Sequence, residues 1–224
     1  MSDVAASLEQ IYRQRSQETQ RIWQENPEQK THSGFYPENL SAIATGIQPA
    51  LNPQISELLT ELGQLSQGDP LADVMHPDHF HLTFLAITPA LYNNHRQPEA
   101  VSGLRKVAEK YLHQTLRVRD LRLVALPNQL LIAGIPDAEN SVQRTAFWRE
   151  LQDSDWAGLL QQRYGGKEPP LFWHSTILRY NATVLPDRLQ RFFAQRREQR
   201  YGEMTGKIVL RLVSYNWSST QELA

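Results

Sequence analysis

One order of elements occurs twice in this chain, and few folds accommodate that. Leu40–Ile47 reads as a strand. Asn52-Pro53 then supplies the cap and first turn of a helix with Ile55, Leu58, Leu59, Leu62 and Leu65 along one face. His79–Ile87 reads as a second strand, Pro98–His113 as a helix and Arg117–Leu126 as a third strand. Beyond a Pro127-Asn128 turn the order returns. Gln129–Ile135 is a strand, and Asn140–Tyr164 is helical with a break near Asp153-Ser154-Asp155. Leu171–Arg179 is a strand, Pro186–Arg200 a helix ended by Gly202, and Lys207–Trp217 a closing strand. A unit written twice at this spacing predicts two related substructures. Short strands and helices joined by one hairpin predict an α+β fold: small antiparallel sheets, outer helices and a central cleft, in a pseudo-two-fold bilobal body. That body spans residues 37–224, with repeats at 37–127 and 128–217. Residues 1–36 form an amphipathic helix and linker, since Val4, Leu8, Ile11, Tyr12, Ile22 and Trp23 keep helical spacing until Asn26-Pro27.

Each half carries the same triplet at the start of an apolar strand: Phe80-His81-Leu82-Thr83-Phe84 and Trp173-His174-Ser175-Thr176-Ile177. Side chains alternate along a strand, so His81 and Thr83 share a face, as do His174 and Thr176. Two imidazoles suit acid–base work near neutral pH, and two hydroxyls suit holding an anion. Together they point to cleavage of a phosphodiester without a metal. A lone His-x-Thr is weak, as His113-Gln114-Thr115-Leu116 illustrates; that match ends a helical pattern and has no counterpart in the other half. Equivalent position in a repeat is what sets His81 and His174 apart from ordinary core histidines. His79 and Phe172, two residues before each histidine, are placed to line the cleft, and Tyr36 and Tyr164 to stack on a base.

Other motifs carry less. His76-Pro77-Asp78-His79-Phe80-His81 resembles a metal cluster in composition, but the second half offers only His174 to complete it. Arg188, Arg191, Arg196, Arg197 and Arg200 make a basic helix, either a solvated face or a phosphate contact. Tyr164-Gly165-Gly166-Lys167 lacks the spacing and hydroxyl of a P-loop, and no Gly-x-Ser-x-Gly elbow occurs. The absence of cysteine excludes disulfides, thiolate nucleophiles and cysteine-ligated zinc. A net charge of −1 gives no global pull toward nucleic acid or membrane. The polar, Gln-rich start is no secretory signal and no run has the length of a membrane span, so a cytoplasmic protein with no membrane partner is expected.

His81-Leu82-Thr83-Phe84 and His174-Ser175-Thr176-Ile177 match the paired His-x-Thr/Ser-x signature of the two-histidine (2H) phosphoesterase superfamily, which the chain resembles over residues 37 to 217. The resemblance implies a bilobal fold whose lobes exchange strands, and a cleft holding the four motif residues. It implies a cofactor-free hydrolase acting on a 2′,3′-cyclic phosphate, at an RNA end or on a small nucleotide, with His81, Thr83, His174 and Thr176 catalytic. Which histidine is base and which is acid stays open at this level. The alternative is a binding module that holds an RNA end or nucleotide without turnover. Self-association or partner docking through the helix at Leu8–Trp23 is compatible with either.

Overall fold

The computed structural model describes residues 3–26, 30–31, 34, 37, 39–93 and 101–223. Helix α1 (Asp3–Glu25) is followed by β1 (Leu40–Ile47), α2 (Pro53–Leu65), β2 (Ala72–Val74), β3 (Leu82–Ala86), β4 (Tyr92–Asn93) and α3 (Val101–Ala108). The second half holds β5 (Thr115–Leu126), β6 (Gln129–Pro136), α4 (Ala138–Gln152), α5 (Ala157–Tyr164), β7 (His174–Tyr180) and α6 (Asp187–Arg196). The chain ends in β8 (Met204–Lys207), β9 (Val209–Val213) and β10 (Thr220–Glu222). Asn52 caps α2 as its sequence requires, its side chain accepting the Ile55 N–H at 2.9 Å, with Pro53 opening the helix.

Two antiparallel sheets result, and the two halves of the chain share them. One sheet runs β10-β9-β1-β3, with β4 pairing the start of β1; the other runs β2-β7-β6-β5-β8. In each, a histidine strand lies beside the opening strand of its own half, which lies beside the closing strand of the other half. Thus β3 pairs β1, and β1 pairs β9; β7 pairs β6, and β6 pairs β5. The chain passes from the second sheet to the first at Ile208, between β8 on β5 and β9 on β1. Ile208 is fully buried and exchanges backbone hydrogen bonds with His113 and Gln114. This crossing divides the single strand expected over Lys207–Trp217. The third His-x-Thr match falls here, with His113 in a turn at φ 60°.

Other boundaries also moved. The strand expected from His79 begins only at Leu82, because Pro77 starts a 3-10 turn over Pro77–His79 that His76 caps through Asp78 N–H. The last helix stops at Arg196 rather than running to Gly202. Tyr201 is drawn into pairing with Leu121, and Gly202, at φ 71°, returns a carbonyl to the Leu121 N–H. The Asn140–Tyr164 helix divides around residues 153–156 into α4 and α5, as the Asp-Ser-Asp sequence suggested.

Helix α1 lies on β5 and β6. Leu8, Tyr12 and Trp23 are buried in the same core as both sheets, so the apolar stripe considered for self-association is covered by the chain itself. The contact is polar as well as apolar. Trp23 Nε1 donates to the Pro127 carbonyl at 2.8 Å and Thr19 Oγ1 to that of Ala125 at 2.9 Å. The buried Tyr12 hydroxyl donates to the Gly134 carbonyl at 2.8 Å and accepts the Trp173 N–H at 3.1 Å. One side chain from α1 therefore grips the residue before His174. Tyr12→Phe strands a buried N–H and a buried carbonyl. It is expected to lower the unfolding free energy by about 1–3 kcal/mol in urea titrations; an unchanged midpoint would show that this hydroxyl bears no structural load.

Candidate active site

The two histidine strands are bent in the same place. The pairing of β1 with β3 slips between Thr45 and Gly46, leaving Phe84 without a partner, and that of β6 with β7 slips between Leu130 and Leu131, leaving Ile177 without one. The unpaired residue is in both cases the apolar one straight after the motif threonine. A bulge there bends the strand and re-aims its side chains. Phe84 also packs on Trp173, with ring centroids 6.0 Å apart, so the apolar neighbour of one motif touches that of the other.

His81, Thr83, His174 and Thr176 all line one cavity of about 580 Å³. Phe172 and Tyr164 line it too. The Phe172 ring meets His174 edge-on at 5.9 Å, and the Tyr164 hydroxyl donates to the Ala86 carbonyl at 2.9 Å, tying α5 to the end of β3. His79 does not join them. It sits in the 3-10 turn with its ring against His76 at 5.1 Å, so the strand alternation expected to aim it at the cleft does not apply. Its contribution is its carbonyl, 2.8 Å from His81 Nδ1. Tyr36 lies outside the described residues. Among the described residues no group of three His, Cys, Asp or Glu side chains gathers in a metal-binding arrangement.

Three arginines, Arg144, Arg163 and Arg179, line the same cavity, along with Lys167 and Glu168. Arg144 is buried over the Trp173 ring at 3.9 Å and donates to the carbonyls of Phe172 and Pro170 at 3.3 and 3.2 Å. Burial pulls its pKa down to about 10, so it remains charged at neutral pH. Arg163 has a buried Nε with no protein acceptor. Arg179 lies next to the end of the second histidine strand and hydrogen-bonds to Asn216 Oδ1. A chain of net charge −1 thus concentrates positive charge around its two threonine hydroxyls. Sequence signals for two of the three exist. Arg179 is the one Asp, Glu, Lys or Arg in Leu171–Arg179. Arg144 shares the buried helical stripe of Asn140, Phe147, Trp148 and Leu151. The basic helix is separate: Arg188 pairs with Asp69 and Arg196 with Glu61.

The histidines differ in their surroundings. A carbonyl only accepts, so His81 Nδ1 must carry the ring proton of the neutral form, which leaves Nε2 as a bare lone pair. The ring stacks on Trp217, centroids 4.7 Å apart and planes 9° from parallel. Gly46 makes room for this: a Cβ there would come within 2.5 Å of the Leu82 carbonyl and 2.8 Å of Trp217 Cη2. Burial pulls His81 down to about 3, with smaller contributions from the charges of Arg179, His174 and His79. Burial, then Arg179 and Arg144, pulls His174 down to about 4. Its Nδ1 is buried without a partner, so the ring proton is better placed on Nε2.

No family model and no curated protein matches this sequence. Solved structures do. TT0787 of Thermus thermophilus is 16% identical, with 82% of this chain and 95% of that one covered at a TM-score of 0.52. ATU0111 from Agrobacterium tumefaciens, a conserved protein of unknown function, is 13% identical over 88% and 93% of the chains at 0.51. E. coli LigT in apo form is 11% identical over 83% and 96% at 0.47. TT0787 and ATU0111 share the fold of this chain, an α+β body with two antiparallel sheets. The α1 helix is part of the core shared by both sheets, and among the described residues no helix is long and apolar enough to cross a membrane.

Both histidines are neutral in the folded protein but bind protons once unfolded, where the ordinary value is 6.5. The unfolded state therefore binds more protons below that value. The stability due to these neutral rings is complete above about pH 6.5 and is lost as pH falls toward 4. The slope is at most about 1.4 kcal/mol per pH unit for each histidine. Urea midpoints of the wild type are expected to fall between pH 7 and pH 5, and those of H81Q/H174Q to fall less. Equal slopes in the two proteins would mean that these rings are not desolvated.

Proposed function

We propose that this protein is a metal-independent phosphodiesterase that hydrolyses a 2′,3′-cyclic phosphate, on an RNA end or a small nucleotide, by two-histidine acid–base catalysis. The observation that carries the reading is the meeting of His81, Thr83, His174 and Thr176 on one cavity rimmed by Arg144, Arg163 and Arg179. His81 Nε2 takes a proton from water as its oxygen attacks phosphorus. The bond from phosphorus to one ribose oxygen breaks, and His174 Nε2 delivers a proton to that leaving oxygen. Thr83 and Thr176 donate to the non-bridging oxygens where charge builds, and the arginines offset the anion. The tautomers favour this assignment: His81 Nδ1 is committed to a carbonyl, while His174 has its proton better placed on Nε2. An entering phosphate also neutralises the arginine charge that helps hold His174 low, which raises its affinity for a proton. Phe172 and Tyr164 line the same cavity, and a base stacked on them would gain about 1–3 kcal/mol.

A panel of 2′,3′-cyclic mononucleotides, cyclic-phosphate RNA oligomers and linear 2′,5′-dinucleotides, assayed in excess chelator, tests the reading. The cyclic substrates are expected to turn over, and loss of activity in chelator would point to a metal. His81→Ala and His174→Ala are each expected to cost about 10²-fold or more in kcat. Thr83→Ala or Thr176→Ala is expected to cost at most about 2–4 kcal/mol of transition-state stabilisation. Wild-type turnover in either histidine variant refutes the mechanism. Tight nucleotide binding with no turnover of the panel selects the binding module instead.

The pH dependence has a definite sign. An acid held near 4 loses its active, protonated form as pH rises, and a base held near 3 loses its active form only in stronger acid. In the free enzyme, kcat/KM is therefore expected to decline as pH rises from 5 to 8. The alkaline limb of kcat is expected at higher pH than that of kcat/KM, since bound phosphate raises His174. A kcat/KM that rises over this range contradicts the assignment.

A further inference from the structure

The backbone is most strained in the turn between β9 and β10. Asn216 and Trp217 follow one another in the left-handed region, at φ 54° and 55°. Asn tolerates this conformation, but a bulky Trp adopts it rarely. Contacts that cross from one sheet to the other hold it there. The Tyr215 hydroxyl donates to Asp73 Oδ2, and Asn216 Nδ2 donates to the same oxygen at 2.9 Å. Arg179 donates to Asn216 Oδ1, and its guanidinium lies over the Tyr215 ring at 5.3 Å. Asp73 and Arg179 are cross-strand partners on β2 and β7. The turn itself belongs to the other sheet, where it delivers Trp217 to the His81 ring.

An amide suits this chemistry. Arginine only donates and a carboxylate only accepts, so a side chain that serves both must offer one acceptor and one donor. We infer that Asn216, anchored by Asp73, is a positioning residue: it aims Arg179 at the bound anion while the next residue, Trp217, sets the plane of His81. The inference rests on the reading of the cavity as a phosphodiester-cleaving site. The backbone conformation alone does not require an amide at this point, because glycine would suit it better.

Full-length N216G, N216D, D73N and N216D/D73N test it. N216G keeps the left-handed turn and removes the amide. It is expected to fold with a cooperative thermal transition, yet to lose about tenfold in kcat and to bind inorganic phosphate about tenfold more weakly. N216D sets two carboxylates together and is expected to be impaired. N216D/D73N exchanges donor and acceptor and is expected to recover most of the loss, a rescue that a purely structural role would not show in phosphate affinity. Wild-type kcat and phosphate affinity in N216G, or a double variant no better than N216D, overturns the inference. Should N216G fail to fold, the comparison of N216D with N216D/D73N decides. Should the wild type turn over no phosphodiester but bind phosphate in an Asn216-dependent way, the catalytic reading fails and the positioning role stands; no phosphate binding by the wild type sinks both.

Discussion

Each half of this chain lends its closing strand to the other. β5, from the first half, completes the sheet of the second histidine strand, and β9, from the second, completes that of the first. Neither half can therefore satisfy its own sheet edge alone, and exposed edges are costly. The exchange joins both sheets in one core, where Phe84 and Trp173 meet. Convergence of the two motifs follows from this. Their separation depends on packed strands with apolar residues between them and not on the geometry of a flexible linker.

The cavity is a polar place built inside that core. Both imidazoles are desolvated, and desolvation outweighs every other influence on them. Cations are held nearby by neutral acceptors: Arg144 by the carbonyls of Phe172 and Pro170, Arg179 by the amide of Asn216. The basic helix shows the contrast, since its Arg188 and Arg196 are paired with Asp69 and Glu61.

Legibility varied along the chain for identifiable reasons. Asn52-Pro53 and the Leu-rich stripe of α2 are local signals, and the helix appeared where they put it. The strand start at His79 failed because Pro77 and the His76 cap form a competing local turn. Phe172 and Tyr164 reached the cavity; His79 did not, and only its carbonyl touches His81. Trp217 gave no sign of its position under His81. It is 136 residues away from His81 by number (217 − 81), and the contact exists only because β9 crosses to β1 and Gly46 leaves space. Asp73 and Asn216 were equally silent, since β2 is three residues long and the turn is defined by its partners.

Sequence by itself determined the doubling: the repeated order of elements, the two His-x-Thr strands and the α+β class are all carried by periodicity and local caps, which need no distant partner. Tertiary structure alone decided which strands share a sheet, which arginines ring the cavity, and which ring nitrogen of each histidine holds a proton. Those depend on desolvation and on hydrogen bonds between residues far apart in the chain, and a linear pattern contains neither.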